Sequence, residues 1–170
     1  MTDYTDKSIR LQVIDRVLEL LRAELDAEAR WPERIHLFDH DPGLDKHPRE
    51  YLMLVDIRGP HDETLMSGET DAIVDDEIVL RIIGHASGEG MDGPMARDRV
   101  DEFYQALRRV AYAAGYERTL GDFTATDGSK PVWDTFLGRV DGPVSDPAGD
   151  KGHWGFLDVD FHVTTREGNA

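Results

Sequence analysis

The sequence predicts an α+β fold: a mostly antiparallel sheet of about four or five strands packed by two helices, in the order α-β-β-β-α-β-β. Three observations carry this. Ile9, Val13, Ile14, Val17, Leu18, Leu21 and Leu25 recur at helical spacing. Val100, Phe103, Tyr104, Leu107, Val110 and Ala111 do so again. Leu157, Val159, Phe161 and Val163 alternate with Asp158, Asp160, His162 and Thr164, which is the period of a strand with one apolar and one polar face. A helix stripe and a one-sided strand each need a second layer to cover them.

The first helix has Thr5 as its expected N-cap and runs to about Ala29, roughly 36 Å of helix. Trp31-Pro32 ends it, because the residue before proline avoids helical backbone. Residues 34–38 form a short strand, and residues 39–48, with Asp41-Pro42-Gly43 and His47-Pro48, form a loop. Residues 51–58 alternate, with Met53, Val55 and Ile57 on one face, and read as a strand. Gly59-Pro60 breaks it and opens an inserted arm over residues 59–76, polar and acidic but carrying Leu65, Met66, Ile73 and Val74.

Residues 77–113 are the unit around which the chain is organised. Ile78, Val79, Leu80, Ile82 and Ile83 make a β-branched run that suits a strand covered on both faces. A glycine-rich connection, residues 84–93, leads to Pro94, which a first helical turn tolerates. Arg97, Arg99, Glu102, Arg108 and Arg109 fall mostly on the face opposite the apolar stripe, and Gly115 marks a stop. Residues 119–130 form a loop. Residues 132–140 form a strand anchored by Trp133 and Phe136, and residues 141–152, with Gly-Pro and Asp-Pro pairs, are turns.

A chain of 170 residues is one domain by length. With no cysteine it has no disulfide, thiolate ligand or thiol nucleophile. No apolar run reaches the roughly 18 residues of a membrane span, and the charged residues 1–10 predict no secretory signal. The net charge of −16 disfavours nucleic-acid binding and keeps copies of the chain apart.

Candidate chemistry is thin. Gly88, Gly90 and Gly93 spell G-x-G-x-x-G, but a dinucleotide fingerprint needs its first glycine directly after the strand. Here residues 84–87 intervene, and Glu89 and Asp92 would oppose a pyrophosphate. Asp39, His40, Asp41 and His47 share a loop whose prolines explain it as turn chemistry. His162 with Asp158 and Asp160 is explained by strand alternation. No serine sits in a G-x-S-x-G elbow. No catalytic residue, cofactor or metal is expected, and the chain is not expected to be an enzyme.

The order of parts supplies a resemblance. The N-terminal helix, the strand after His47-Pro48, the acidic insertion, the strand Ile78 to Ile83, and the glycine turn and helix to Ala113 come in this order. They are followed by the loop with Asp146-Pro147 and the last strand to Thr165. Over residues 6–166 this resembles the tail terminator or tail-completion proteins of long-tailed (siphovirus-type) bacteriophages. The resemblance implies a virion structural protein at the tail–head junction, assembled in the host cytoplasm. There it would form a homo-hexameric ring on the last ring of the tail tube protein, stop tube growth and meet the head-side connector or stopper protein. DNA would pass through the lumen without specific binding, with no membrane involved. On this reading Leu65, Met66, Ile73 and Val74 of the arm pack on the next subunit. Two alternatives stay open: another neck component, such as a head–tail stopper or adaptor, and a small ligand-binding or enzymatic α+β domain.

Overall fold

Both helices share one apolar core with one side of the sheet, and that arrangement decides which strand residues face outward. The computed structural model describes residues 7–27, 36–38, 51–57, 73–87, 92–147 and 153–168. Helix α1 spans Ile9–Ala27 and α2 spans Gly93–Tyr112. The strands are β1 (His36–Phe38), β2 (Tyr51–Ile57), β3 (Ile73–Ser87), β4 (Val132–Pro147) and β5 (His153–Gly168).

The α+β class holds: two helices lie against an antiparallel sheet built on the long strands β3, β5 and β4. β2 pairs antiparallel with β3, and the short β1 runs parallel to β2, so the order across the sheet is β1-β2-β3-β5-β4. The β3–β5 register sets Ile78 opposite Val163, Leu80 opposite Phe161 and Ile82 opposite Val159. All six are fully buried, in one cluster with Val13, Val17 and Leu21 of α1 and Val100, Phe103, Leu107 and Val110 of α2.

Helix α1 is capped by Ser8, which takes the Leu11 N–H on its hydroxyl at 3.4 Å and the Gln12 N–H on its carbonyl at 3.0 Å. The expected cap Thr5 and the stop Trp31-Pro32 lie outside the described residues. In α2, the Asp92 carboxylate accepts from the Met95 N–H at 2.8 Å, and Pro94 sits in the first turn. The helix ends where its apolar stripe does, the backbone turning extended at Ala113, two residues before Gly115. Two glycines bring α2 down onto the sheet. A Cβ on Gly84 would lie 2.5 Å from Phe103 Cδ1, and a Cβ on Gly155 would overlap the Ala96 carbonyl oxygen.

Three further expectations change. β3 is not covered by helices on both faces: Ile78, Leu80 and Ile82 are buried, whereas Val79, Arg81 and Ile83 are only half-buried on the other side. Residues 73–76 belong to β3, so the segment read as an arm gives way to strand at Ile73. Residues 141–147 are strand, not turn. β4 absorbs Gly142 and Pro143 in a register shift between Asp141 and Val144, where proline's missing N–H breaks no ladder bond.

The connection from α2 to β4 is not a solvated loop. Leu120, Phe123 and Ala125 are buried in the core. Glu117, Arg118, Leu120 and Asp122 all have left-handed backbone, a conformation costing about 1 kcal/mol for each non-glycine residue. The turn is held by the Gly121 N–H on the Tyr116 carbonyl at 3.0 Å and the Phe123 N–H on the Thr119 carbonyl at 3.1 Å. Arg16 Nε of α1 adds a bond to the Leu120 carbonyl at 3.2 Å.

Candidate functional site

The side of the sheet turned away from the helices carries a network of charged side chains. Its β5 members follow from strand alternation: Asp158, Asp160 and His162 sit between the buried Leu157, Val159, Phe161 and Val163. Cross-strand pairing then sets Arg81 of β3 opposite Asp160, Val79 opposite His162 and Glu77 opposite Thr164. From β4 come Asp141, opposite Asp158, and Phe136, opposite His162. Arg139 lies in the register shift between Leu137 and Val140.

Asp158 is the hub. Its carboxylate is only 4% exposed and takes Arg81 in a forked contact, Nε to Oδ1 at 3.0 Å and Nη2 to Oδ2 at 2.5 Å. Arg139 Nη2 lies 3.1 Å from the same Oδ2, and Arg139 also reaches Asp141 at 2.7 Å and Asp160 at 3.6 Å. The hydrogen bonds from Arg81 hold the Asp158 carboxyl below the usual carboxylate range, against the opposing effect of burial; the charges of Arg81 and Arg139 add to them. The Asp158 charge in turn pushes the Arg139 guanidinium further up. A buried carboxylate is costly unless paired, and here two arginines offset the cost.

Aromatic rings flank this charged band. Phe136 stacks on His162 with ring centroids 4.4 Å apart and 11° between planes. His162 Nδ1 lies 2.6 Å from Glu77 Oε1, and its Nε2 edge covers Gly138, where a Cβ would overlap it. Toward the other end, Trp154 lies 5.7 Å from His85 and meets Phe156 edge-on at 5.9 Å.

The residues read from sequence distribute as follows. Leu65, Met66, Asp39, His40, Asp41, His47, Gly88 and Gly90 lie outside the described residues. Ile73 and Val74 pair through β3 with Gly168 and Glu167 of β5. Gly93 opens α2, and the Met95 N–H that a phosphate would use is taken by Asp92. His162, Asp158 and Asp160 share a face, but Asp158 and Asp160 turn to Arg139 while His162 turns to Glu77. Among the described residues, no group of three or more His, Asp or Glu side chains is placed to hold a metal ion, and no helix is long and apolar enough to cross a membrane.

Trp133, read as an anchor, stands 61% exposed. The register shift between Val132 and Asp134 turns it off the core face, which Val132 and Thr135 occupy instead, Thr135 donating to the Ala111 carbonyl at 2.8 Å. Arg81 and Arg139 escaped the sequence reading altogether. One signal was present: Arg81 interrupts an apolar strand at the parity that faces away from the core. Arg139 gave none, because a bulge resets parity.

The arrangement binds charge to charge. Each of Asp141, Asp158 and Asp160 already holds an arginine, and the rings beside them are half-buried. No protein-family model matches the chain, and no curated protein matches it.

Proposed function

We propose that this chain is a virion structural protein, a tail terminator that closes as a ring at the head-proximal end of a phage tail tube. In this reading the chain is one unit of order α-β-β-β-α-β-β, carries no catalytic machinery, and works through contacts with copies of itself, with the tube and with the head-side connector. DNA passes through the ring, and the net charge of −16 keeps the duplex from adhering.

The observation that carries the reading is the one-sided fold. Both helices and the apolar core occupy one side of the sheet. The other side offers a charge-matched band flanked by aromatic rings. Such a surface supports assembly.

A particle reconstruction averaged over the tail–head junction tests it. The expected density is a closed ring of this chain between tube and connector, and particles lacking the chain should have tails of uncontrolled length or unjoined heads. A junction without this chain, in particles of normal tail length, would overturn the proposal.

A further inference from the structure

We infer that α1 is a latch: it holds the connection between α2 and β4 in a strained, left-handed form, and displacing it releases both that connection and the start of β4. The inference does not depend on the ring reading.

The strain lies in the backbone. Glu117, Arg118, Leu120 and Asp122 take φ values of 50°, 59°, 55° and 56°. A residue with a Cβ is uncommon in this conformation, and a run of them is rarer still. Such a run persists only where its surroundings over-determine it.

Helix α1 supplies that restraint. The connection runs back along the helix, so later residues of α1 meet earlier residues of the connection. The Gln12 amide holds Thr126, Arg16 Nε donates to the Leu120 carbonyl at 3.2 Å, and Glu24 accepts from the Tyr116 hydroxyl at 2.5 Å. Tyr116 and Thr126 bracket the left-handed residues, and Arg16 holds their middle. Its Nη2 lies 3.2 Å from where a Cβ on Gly121 would stand, so the guanidinium lies across the turn.

The other side of the turn reaches β4. Arg118 pairs with Asp134 of β4 at 2.6 Å, and Asp122 pairs at 2.6 Å with Lys130, just before the strand. Two left-handed residues therefore carry the ion pairs that tie the connection to the start of β4. Exposed pairs of this kind are weak by themselves, so they follow the backbone that presents them. Helix, connection and strand start form one mechanical chain, and the β3–β5 ladder stands outside it.

The experiment is amide hydrogen exchange on the full chain, with circular dichroism to verify folding. The latch variant combines Arg16→Met with Gln12→Ala. Glu19→Ala is the control, because Glu19 meets Arg16 Nη1 at 3.0 Å and leaves the Leu120 bond in place. In the latch variant the Gly121 and Phe123 amides, and the protected amides of residues 132–135, should accelerate at least about tenfold more than those of Leu80 and Phe161. Adding Glu117→Gly, which takes left-handed backbone without steric cost, should return the connection toward wild-type rates. Adding Ala114→Gly, outside the left-handed run, should not. Should the double variant fail to fold, Arg16→Met alone is judged by the same comparison. Equal acceleration of all these amides, or none, overturns the inference, as does a connection indifferent to Glu117→Gly. Faster exchange in the connection with residues 132–135 following Leu80 and Phe161 upholds the latch and overturns its reach to β4.

Discussion

Gln12 and Thr126, far apart in sequence, grip each other twice. The Thr126 N–H donates to Gln12 Oε1 at 3.0 Å, and Gln12 Nε2 donates to Thr126 Oγ1 at 3.1 Å. Gln12 is 2% exposed and also donates to the Lys7 carbonyl at 2.8 Å, so its amide ties the start of α1 to the connection before β4. Gln12→Ala removes these bonds and leaves the Thr126 N–H without its acceptor. A loss of about 1–3 kcal/mol is expected in denaturant unfolding, with faster amide exchange at Thr126. A loss confined to α1, with the connection unaffected, would show that the two segments are not coupled.

Gly155 is where α2 touches β5. Because a Cβ there would overlap the Ala96 carbonyl oxygen, which belongs to the backbone and cannot swing aside, Gly155→Ala should cost about 1–3 kcal/mol. Gly115→Ala has open space around it and should stay within about 0.5 kcal/mol of wild type. Equal melting temperatures for the two variants would contradict this close approach.

The Asp158 network predicts an acid-sensitive contribution to stability. Its pKa is depressed in the folded chain, so the unfolded chain takes up the proton first as pH falls. The stabilisation is complete above the ordinary aspartate value near 4 and is lost as pH drops through the lower folded value. Asp158→Asn should therefore destabilise by about 2–4 kcal/mol at neutral pH, removing the charge that Arg81 and Arg139 meet there, and the gap to wild type should close in strong acid. The paired change Arg81→Met with Asp158→Leu should cost less than the two single changes added together. A pH-independent difference between wild type and Asp158→Asn would rule out the carboxylate as the source.

Tyr116 supplies the opposite sign. Burial first, and then the hydrogen bond its hydroxyl donates to Glu24 Oε1 at 2.5 Å, push its pKa up to about 12. Glu24 also accepts from Arg109 Nε at 2.6 Å, so the phenol joins α1, α2 and the following turn. Its raised pKa means the contribution is complete below the unfolded value near 10 and is lost as pH climbs toward 12. Ultraviolet titration should show a late-ionising tyrosine that is lost in Tyr116→Phe. A titration curve whose late part is unchanged in Tyr116→Phe would refute the contact.

Hydropathy period by itself determined both helices, the polar and apolar faces of β5, and the α+β class. Those features depend on neighbours three, four or two residues away, which a sequence displays directly. Helix ends were legible only in part. Pro94 marked the start of α2 and the last residues of its apolar stripe marked its end at Ala113, but the cap of α1 at Ser8 is a backbone choice that several nearby residues could have made.

Tertiary structure alone decided the rest. Bulges in β4 shift parity, so Trp133 went outward and Arg139 reached Asp158, although regular alternation cannot indicate either. Pairing with β5 drew residues 73–76 and 141–147 into strands despite their turn-forming or acidic composition, because a ladder partner outweighs local propensity. The Arg81–Asp158 pair joins residues 77 positions apart. Its strength comes from burial and cross-strand register, and neither exists until the sheet has formed.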